Sequence, residues 1–244
     1  MSPEQNLDLL STMGRWWKEG LTRHGFWPTA QSFASHFWDF LRESTPAHRR
    51  SRYGDAEYDW DYRVNTTSAT VSWRDRLLGH FHSPYQPTEP ALFKEMMASL
   101  NIDFQQFTFI DIGSGKGRAL LMASDYPFHR ILGIELLPAL HRVAQENLRA
   151  YKSDSEQCFA LETVCGDARN FIFAAEPLVL YLFNPLPEPA LIEVMANLDQ
   201  SLSQSPRVVY LLYRNPLFEH VLANRPAFNK IGGTHQYSIF RTGV

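Results

Sequence analysis

Three glycines that alternate with other residues form the clearest chemical signal in this sequence. They lie in Phe107–Arg118, which reads FTFIDIGSGKGR, directly after an apolar run that ends in an acid and an isoleucine. The residues from Ala119 onward have the composition of a helix. Glycine permits a sharp turn and lets a ligand approach the backbone without meeting a Cβ atom. A strand, a glycine turn and a helix in this order predict the first half of a nucleotide-binding βαβ unit.

The spacing of these glycines distinguishes between kinds of nucleotide-binding loop. A dinucleotide loop has the pattern G-x-G-x-x-G/A, whereas here Gly117 comes one residue early and Arg118 stands where a small residue is needed. A phosphate-binding P-loop needs Ser or Thr after its Gly-Lys pair, and this chain again has Gly117. The pattern that remains is D-x-G-x-G-x-G, beginning at Asp111. A simple glycine turn is the alternative.

Two acids follow at the ends of the next two predicted strands. Arg130–Glu135 predicts a second strand, and its last residue lies roughly 20 residues beyond the glycine turn, where a Rossmann-like unit binds a ribose diol. Cys158–Cys165 predicts a third strand, followed closely by Asp167 and Ala168. A carboxylate there can accept from an adenine amino group, and the Ala168 N–H can meet a ring nitrogen. The alternatives are a solvated strand-end acid and a plain Gly-Asp turn.

Two later strands end in the same three residues, Asn-Pro-Leu. Pro177–Phe183 and Arg207–Tyr213 are apolar runs, typical of parallel strands that are covered on both faces. Ligands of open α/β sheets bind outside the carboxyl ends of the strands. The fourth strand is expected beside the glycine strand, so Asn184 is the better candidate for a reactive site and Asn215 the weaker one. Alternatively, each asparagine is a helix N-cap and each proline the first helical residue.

A proline-rich stretch one helix before the glycine strand is a candidate cover for a ligand. Within it, Tyr85 could place the face of its ring beside a cation, or it could be a packed structural tyrosine. Thr88 is the predicted N-cap of the next helix, with Glu89 in the first turn. Residues 62–80 show no clear period and are predicted to be mostly loop.

The first 60 residues differ from the rest in composition, because five of the six tryptophans lie there. Apolar positions recur at helical spacing from Leu9 to Leu21 and again from Pro28 to Arg42, which predicts two helices. We interpret the aromatic side chains as contacts that attach a helical extension to the domain or to a partner subunit. The segment is therefore a candidate surface for a homo-oligomer, and the alternative is a lid or a substrate-selecting surface.

Composition sets the broad class of the protein. Its 244 residues are 44% hydrophobic and 20% charged, as in a soluble globular protein. No apolar run is long enough to span a membrane, and the start shows no secretory signal. Cys158 and Cys165 have no metal-ligand spacing, so we expect no metal site and reduced thiols in a cytoplasmic protein. A net charge of −3 disfavours a general nucleic-acid binder.

From about Tyr85 to the C-terminus, the order of these motifs resembles the class I, Rossmann-like S-adenosylmethionine-dependent methyltransferases. The FIDIGSGKGR stretch and the FNP strand ending are similar to a group of bacterial methyltransferases whose cofactor motifs also resemble those of Dot1-type lysine methyltransferases. The resemblance implies an α/β fold with a seven-stranded, mostly parallel sheet, helices on both faces and an antiparallel C-terminal hairpin. The expected domains are a helical extension (1–60), a linker and cofactor-covering segment (61–90) and the methyltransferase domain (91–244).

The resemblance also assigns roles to single residues. The run that begins at Asn184 and Pro185 is similar to the Asn-Pro-Pro-Tyr/Phe motif of amino-methylating enzymes, although Leu186 and Pro187 supply no aromatic residue at its fourth position. That departure weakens the case for methylation of nucleic-acid bases. The residues expected to bind the cofactor are Asp111, Gly113, Ser114, Gly115 and Gly117 at its amino-acid end, Glu135 at the ribose, and Asp167 and Ala168 at the adenine.

The predicted reaction is methyl transfer from S-adenosylmethionine to a nitrogen of a protein side chain or small molecule, with S-adenosylhomocysteine as the product. Asn184 is expected to orient the acceptor, with Pro185 and Tyr85 as the other candidate catalytic residues. Two alternatives stay open. One is an NAD-dependent oxidoreductase, which the early Gly117 disfavours. The other is a catalytically silent cofactor-binding or scaffold protein, which the tryptophan-rich segment would suit.

Overall fold

A computed structural model of the protein describes residues 9–43, 56–67 and 85–243. The chain forms two compact units: residues 1–56 with 67–86, and residues 57–66 with 87–244. The expected division into 1–60, 61–90 and 91–244 stays a prediction. Most of the loop expected at 62–80 lies outside the described residues. Within the described ranges, no helix is both long enough and apolar enough to cross a membrane.

The described part of the first unit contains two helices that pack through aromatic side chains. Helix α1 spans Leu9–His24 and helix α2 spans Phe26–Glu43, which confirms both helices expected near the N-terminus. Gly25 joins them with a positive φ of 80°, a conformation that glycine adopts without a steric cost. The ring of Trp17 meets that of Phe33 edge to face at 5.7 Å.

The second unit is built on a seven-stranded sheet with the order β3-β2-β1-β4-β5-β7-β6. Strands β1 to β5 pair in parallel, whereas β7 runs antiparallel to both β5 and β6. This sheet confirms the expected fold class, including the C-terminal hairpin. The strands are β1 (Thr108–Ile112), β2 (Arg130–Glu135), β3 (Leu161–Cys165), β4 (Leu178–Phe183), β5 (Val209–Arg214), β6 (Phe228–Gly233) and β7 (Tyr237–Thr242). The remaining α-helices are α3 (Ala56–Tyr62), α4 (Pro90–Ala98), α5 (Arg118–Ala123), α6 (Pro138–Ala150), α7 (Glu188–Gln204) and α8 (Glu219–Ala223).

The core lies on both faces of the central strands. Every residue of β1 is buried, as expected for a parallel strand with helices above and below it. On one face, Phe93 and Met96 of α4 pack with Leu120 of α5. On the other face, Val194 and Met195 of α7 are fully buried. The carboxyl ends of the parallel strands therefore meet at one edge of a rigid sheet.

The third strand is shorter than the sequence predicts. It begins at Leu161, whereas the expected strand begins at Cys158. The backbone N–H groups of Gln157 and Cys158 donate instead to the carbonyl oxygen of Ser124, at 2.7 and 3.0 Å. Because these two N–H groups are bonded outside the sheet, the chain pairs with β2 only after Cys158.

Candidate functional site

The glycine loop follows β1 and folds over the end of β2. Gly113, Gly115 and Gly117 have φ angles of 78°, 54° and 85°, so all three adopt the left-handed region that glycine tolerates best. The N–H groups of Gly113 and Ser114 both donate to the carbonyl oxygen of Ile134, at 2.8 and 3.0 Å. The alternating glycines therefore allow three positive φ angles, which other residues disfavour.

Close neighbours hold the loop from two sides. A Cβ atom at Gly113 would lie 2.3 Å from the Cβ atom of Pro185, which follows β4. A Cβ atom at Gly133, in the middle of β2, would lie 2.7 Å from Ser114 Oγ. No role was predicted for Gly133, although a glycine inside a strand often marks the close approach of another group. The loop is thus packed between β2 and the turn after β4.

Two buried carboxylates lie at this loop. The side chains of Asp111 and Glu135 belong to residues that are only 3% and 6% exposed. Glu135 accepts hydrogen bonds from the N–H groups of Gly115 and Leu137, at 2.8 and 2.7 Å. Burial raises the pKa of Asp111 well above its usual range, and the nearby charge of Glu135 raises it further. Burial also raises the pKa of Glu135, although backbone N–H groups oppose part of that shift.

The two cationic side chains of the loop are bonded to the segment at residues 57–66. Lys116 and Arg118 are almost fully buried. Lys116 Nζ donates to Asn65 Oδ1 at 3.1 Å, and Arg118 Nε donates to Thr66 Oγ1 at 2.6 Å. Arg118 also forms an ion pair with Asp59 at 3.2 Å. At the loop, two cationic side chains that are already bonded to the protein lie together with two buried carboxylates. This arrangement favours a neutral or cationic ligand over a diphosphate.

The acid after β3 is engaged with its own neighbour. Asp167 accepts a hydrogen bond from the backbone N–H of Arg169 at 3.0 Å and forms an ion pair with the Arg169 guanidinium at 2.6 Å. The next residue, Ala168, is buried and opens a short 3₁₀ turn. An adenine amino group at this position would therefore share the Asp167 carboxylate with Arg169.

Both Asn-Pro-Leu sequences form turns with left-handed asparagines. Asn184 and Asn215 have φ angles of 42° and 50°. Asparagine is among the few residues that adopt this region readily. The alternative in which each asparagine caps a helix is wrong, because α7 begins at Glu188 and α8 begins at Glu219.

Asn184 is the asparagine that lies beside the glycine loop, through the contact of Pro185 with Gly113. Its side-chain oxygen accepts a hydrogen bond from the hydroxyl of Tyr213, with an Oη–Oδ1 distance of 3.3 Å. The same hydroxyl accepts from the N–H of Phe218 at 3.4 Å. Burial raises the pKa of Tyr213 to about 12, so the group stays a neutral donor at physiological pH. Tyr213 was not predicted to lie at the site, because nothing in the sequence of its strand signals a bond to Asn184.

The segment before α4 differs from its expected role. Helix α4 begins at Pro90 with Glu89 in the N-cap position, so the prediction that Thr88 is the N-cap is wrong. The Thr88 hydroxyl is buried and bonds to the hydroxyl of Tyr181 in β4 at 2.6 Å. Tyr181 is paired in register with Asp111 of β1. Tyr85 is half-buried and belongs to the first unit, and its role beside a cofactor stays a prediction.

The chain is similar to several solved structures, at low sequence identity. No protein-family profile and no curated protein sequence matches the chain. An RNA methyltransferase from Salinibacter ruber, solved with S-adenosyl-L-homocysteine, is 20% identical with a TM-score of 0.44, and the similarity covers 64% of this chain and 92% of that one. A predicted N6-adenine-specific DNA methylase from Listeria monocytogenes is 14% identical with a TM-score of 0.47, covering 64% and 51%. A glycopeptide N-methyltransferase in complex with S-adenosyl-L-methionine is 14% identical with a TM-score of 0.41, covering 65% and 67%.

These identities and scores describe the fold alone. The strand order, with five parallel strands and a final antiparallel pair, is the stronger observation. The second unit thus has the seven-stranded sheet with a C-terminal antiparallel pair that the resemblance to class I S-adenosylmethionine-dependent methyltransferases implies. A fold does not determine a substrate, so the acceptor must be argued from this chain's own residues.

Proposed function

We propose that the protein is an S-adenosylmethionine-dependent methyltransferase that acts on a nitrogen atom. The observation that carries the proposal is the charge arrangement at the glycine loop. Asp111 and Glu135 are buried there, while Lys116 and Arg118 are bonded to residues of 57–66. S-adenosylmethionine brings an ammonium and a sulfonium group, and an opposite charge nearby stabilises a carboxylate. The diphosphate of NAD would instead be placed beside two buried carboxyl groups, with both cationic side chains of the loop already bonded to residues of 57–66.

The glycine loop and the carboxyl ends of β2 and β3 would each bind a different part of the cofactor. Asp111 and the backbone of Gly113 and Gly115, with Ser114 and Gly117, would hold the amino-acid end. Glu135 keeps lone pairs beyond the two that accept from Gly115 and Leu137, so it can also accept from a ribose diol. Asp167 and Ala168 would hold the adenine, in competition with the Asp167–Arg169 ion pair.

Asn184 is the proposed acceptor-orienting residue. When bound, the cofactor supplies a methyl group that is already activated by a positive sulfur, so the chief task of the protein is alignment. The Asn184 side-chain oxygen and a nearby backbone carbonyl can accept N–H bonds from a neutral amine and aim its lone pair. The Tyr213 hydroxyl fixes the Asn184 amide. Pro185 and Tyr85 are the other proposed contacts of the reacting groups.

The acceptor is proposed to be a protein side chain or a small molecule in the bacterial cytoplasm. The turn after β4 continues with Leu186 and Pro187, so it offers no aromatic ring at the position where a flipped base would stack. The net charge of −3 also provides little attraction for a nucleic-acid backbone.

Calorimetry followed by labelling tests the proposal. The full chain should bind S-adenosylhomocysteine and show no binding of NAD; the reverse result would replace the methyltransferase with an oxidoreductase. Methyl-labelled S-adenosylmethionine is then incubated with a cell extract that is separated into protein, nucleic-acid and small-molecule fractions. Label in protein or small molecules supports the proposed acceptor, and label in nucleic acid corrects it. Cofactor binding without any transfer would identify a silent cofactor-binding protein.

A further inference from the structure

The ion pair of Arg118 with Asp59 is one part of a larger bonded set. Arg118 is the first residue of α5, directly after the last glycine of the loop, and its side chain is 2% exposed. Asp59, in α3, is 11% exposed. Thr66 connects the two, because its N–H donates to Asp59 Oδ2 at 2.6 Å, its hydroxyl bonds to Asp59 Oδ1, and the same hydroxyl accepts from Arg118 Nε. The ring of Tyr58 lies 4.9 Å from the Arg118 guanidinium.

A second set of bonds fixes the middle of the glycine loop. The Asn65 N–H donates to Asn147 Oδ1 of α6 at 2.8 Å, and the Asn147 amide donates back to the Asn65 carbonyl at 3.0 Å. The same amide donates to the backbone carbonyl of Lys116 at 2.9 Å. Lys116 closes the set through its bond from Nζ to Asn65 Oδ1. The stretch 57–66 therefore holds both cationic side chains of the loop, and Asn147, which is bonded to Asn65, holds the backbone carbonyl of Lys116.

We infer that Asp59, Asn65 and Thr66 are positioning residues for cofactor binding. This inference rests on the proposed function. A loop with glycine at every second position has many conformations, and ordering it on binding lowers affinity. The bonds to 57–66 restrict those conformations before a ligand arrives. They also fix the start of α5, so the Gly115 N–H is held where Glu135 accepts its hydrogen bond.

The matched substitutions are Asp59→Asn and Asp61→Asn. Both residues lie on α3 and lose one negative charge, but Asp61 is exposed whereas Asp59 pairs with Arg118. Without cofactor, hydrogen exchange of the Gly115 and Gly117 amides should be at least about tenfold faster in Asp59→Asn, because a charge-assisted bond of the loop is lost. Calorimetry should show a Kd for S-adenosylhomocysteine raised about tenfold at unchanged stoichiometry. Asp61→Asn should match the wild type in both measurements.

Thr66→Val provides a milder variant, because it removes the hydroxyl that bonds to Asp59 and accepts from Arg118, and leaves the Asp59–Arg118 ion pair in place. We expect the same two changes at about threefold, a smaller effect than loss of the ion pair. It keeps the test decisive if Asp59→Asn fails to fold, since a buried guanidinium without its carboxylate strongly destabilises a protein.

Two results would overturn the inference alone. In the first, the wild type binds S-adenosylhomocysteine, and the variants show the same amide exchange and the same Kd as the wild type. The other is an unchanged Kd with reduced stoichiometry, which indicates a smaller folded fraction and a merely structural role. A wild-type chain that does not bind S-adenosylhomocysteine overturns the proposed function and this inference with it. The exchange measurement needs no cofactor, so it separates these cases.

Discussion

The turns after β4 and β5 begin with the same three residues, and their asparagines share a left-handed backbone conformation. Each begins with Asn, Pro and Leu, and Asn184 and Asn215 both have positive φ angles. Each follows an apolar strand of the same parallel pair. By local criteria alone, the two turns are equivalent.

Their neighbours differ, because the strands occupy different positions in the sheet. Strand β4 lies beside β1, so Pro185 packs on Gly113 of the glycine loop. Strand β5 lies between β4 and β7, and the Asn215 N–H donates to the Gln236 carbonyl before β7 at 2.8 Å. One turn faces the candidate cofactor site and the other is bonded to the C-terminal hairpin. The two turns share a left-handed asparagine, and the strand order determines what each turn can contact.

The largest expected effect compares the two asparagines directly. Asn184→Ala should lower methyl transfer by about 100-fold or more, as for loss of one preorganised polar group at a reacting centre. Its Kd for S-adenosylhomocysteine should stay within about twofold of the wild type, because the side chain is proposed to contact the acceptor. Asn215→Ala should leave both quantities near wild type. Equal losses in the two variants would break the comparison, and lost cofactor binding in Asn184→Ala would make that residue structural.

Asp111 extends the comparison, because this buried carboxylate lies at the glycine loop, on which the turn after β4 packs. Its pKa is raised by burial, so the native state holds a proton that the unfolded chain releases near pH 4. The stabilisation is complete below that pH and is lost as pH rises through the native pKa. Asp111→Asn should therefore raise the Tm at pH 7–8 by about 2–4 °C, the shift for 1 kcal/mol at this size.

The same Asp111→Asn variant should bind S-adenosylmethionine about 30-fold more weakly, the loss of one charge-assisted interaction. Calorimetry and thermal unfolding between pH 5 and pH 8 measure both effects. A variant that is less stable at pH 8 yet binds normally would contradict the assignment of this carboxylate to the cofactor.

Gly113→Ala disrupts the contact that places the turn after β4 at the candidate site. The new Cβ atom would overlap Pro185, and alanine disfavours a φ of 78°. We expect unfolding free energy to fall by about 1–3 kcal/mol and the Kd for S-adenosylhomocysteine to rise about tenfold. Gly232→Ala in β6 is the control, because its Cβ atom would meet nothing closer than 3.9 Å. Normal binding by Gly113→Ala would show that the contact with Pro185 is dispensable.

Tyr213 gives the smallest expected effect, because its hydroxyl touches both turns. Tyr213→Phe removes the bonds to Asn184 and Phe218, which are long at 3.3 and 3.4 Å. Methyl transfer should fall by about threefold, as for one modest hydrogen bond, while the Kd for S-adenosylhomocysteine stays constant. A loss as large as that of Asn184→Ala would instead place Tyr213 among the residues that contact the acceptor.

The strands that build the site were predictable from sequence, because parallel strands buried on both faces are nearly continuous apolar runs. Strand β2 has the predicted bounds, Arg130–Glu135. The position of β4 beside β1 is likewise confirmed. The roles assigned to the site residues stay predictions until a ligand is measured.

What the sequence did not reveal depends on partners that are distant along the chain. The Thr88 hydroxyl suits an N-cap by local rules, but its observed partner is Tyr181. Asn-Pro fits a helix start as well as a left-handed turn, and the short motif does not distinguish between them. The bonds of Arg118 to Asp59 and Thr66 leave no periodic or motif signal in either segment.

The contact between Gly113 and Pro185 also dictates when during synthesis the site can assemble. A nascent chain emerges from the ribosome N-terminus first, so β1 and the glycines are exposed long before β4 exists to pack beside them. Until Pro185 has left the exit tunnel, one wall of the loop is missing. Cofactor capture by ribosome-bound chains of increasing length would therefore report how far translation has advanced.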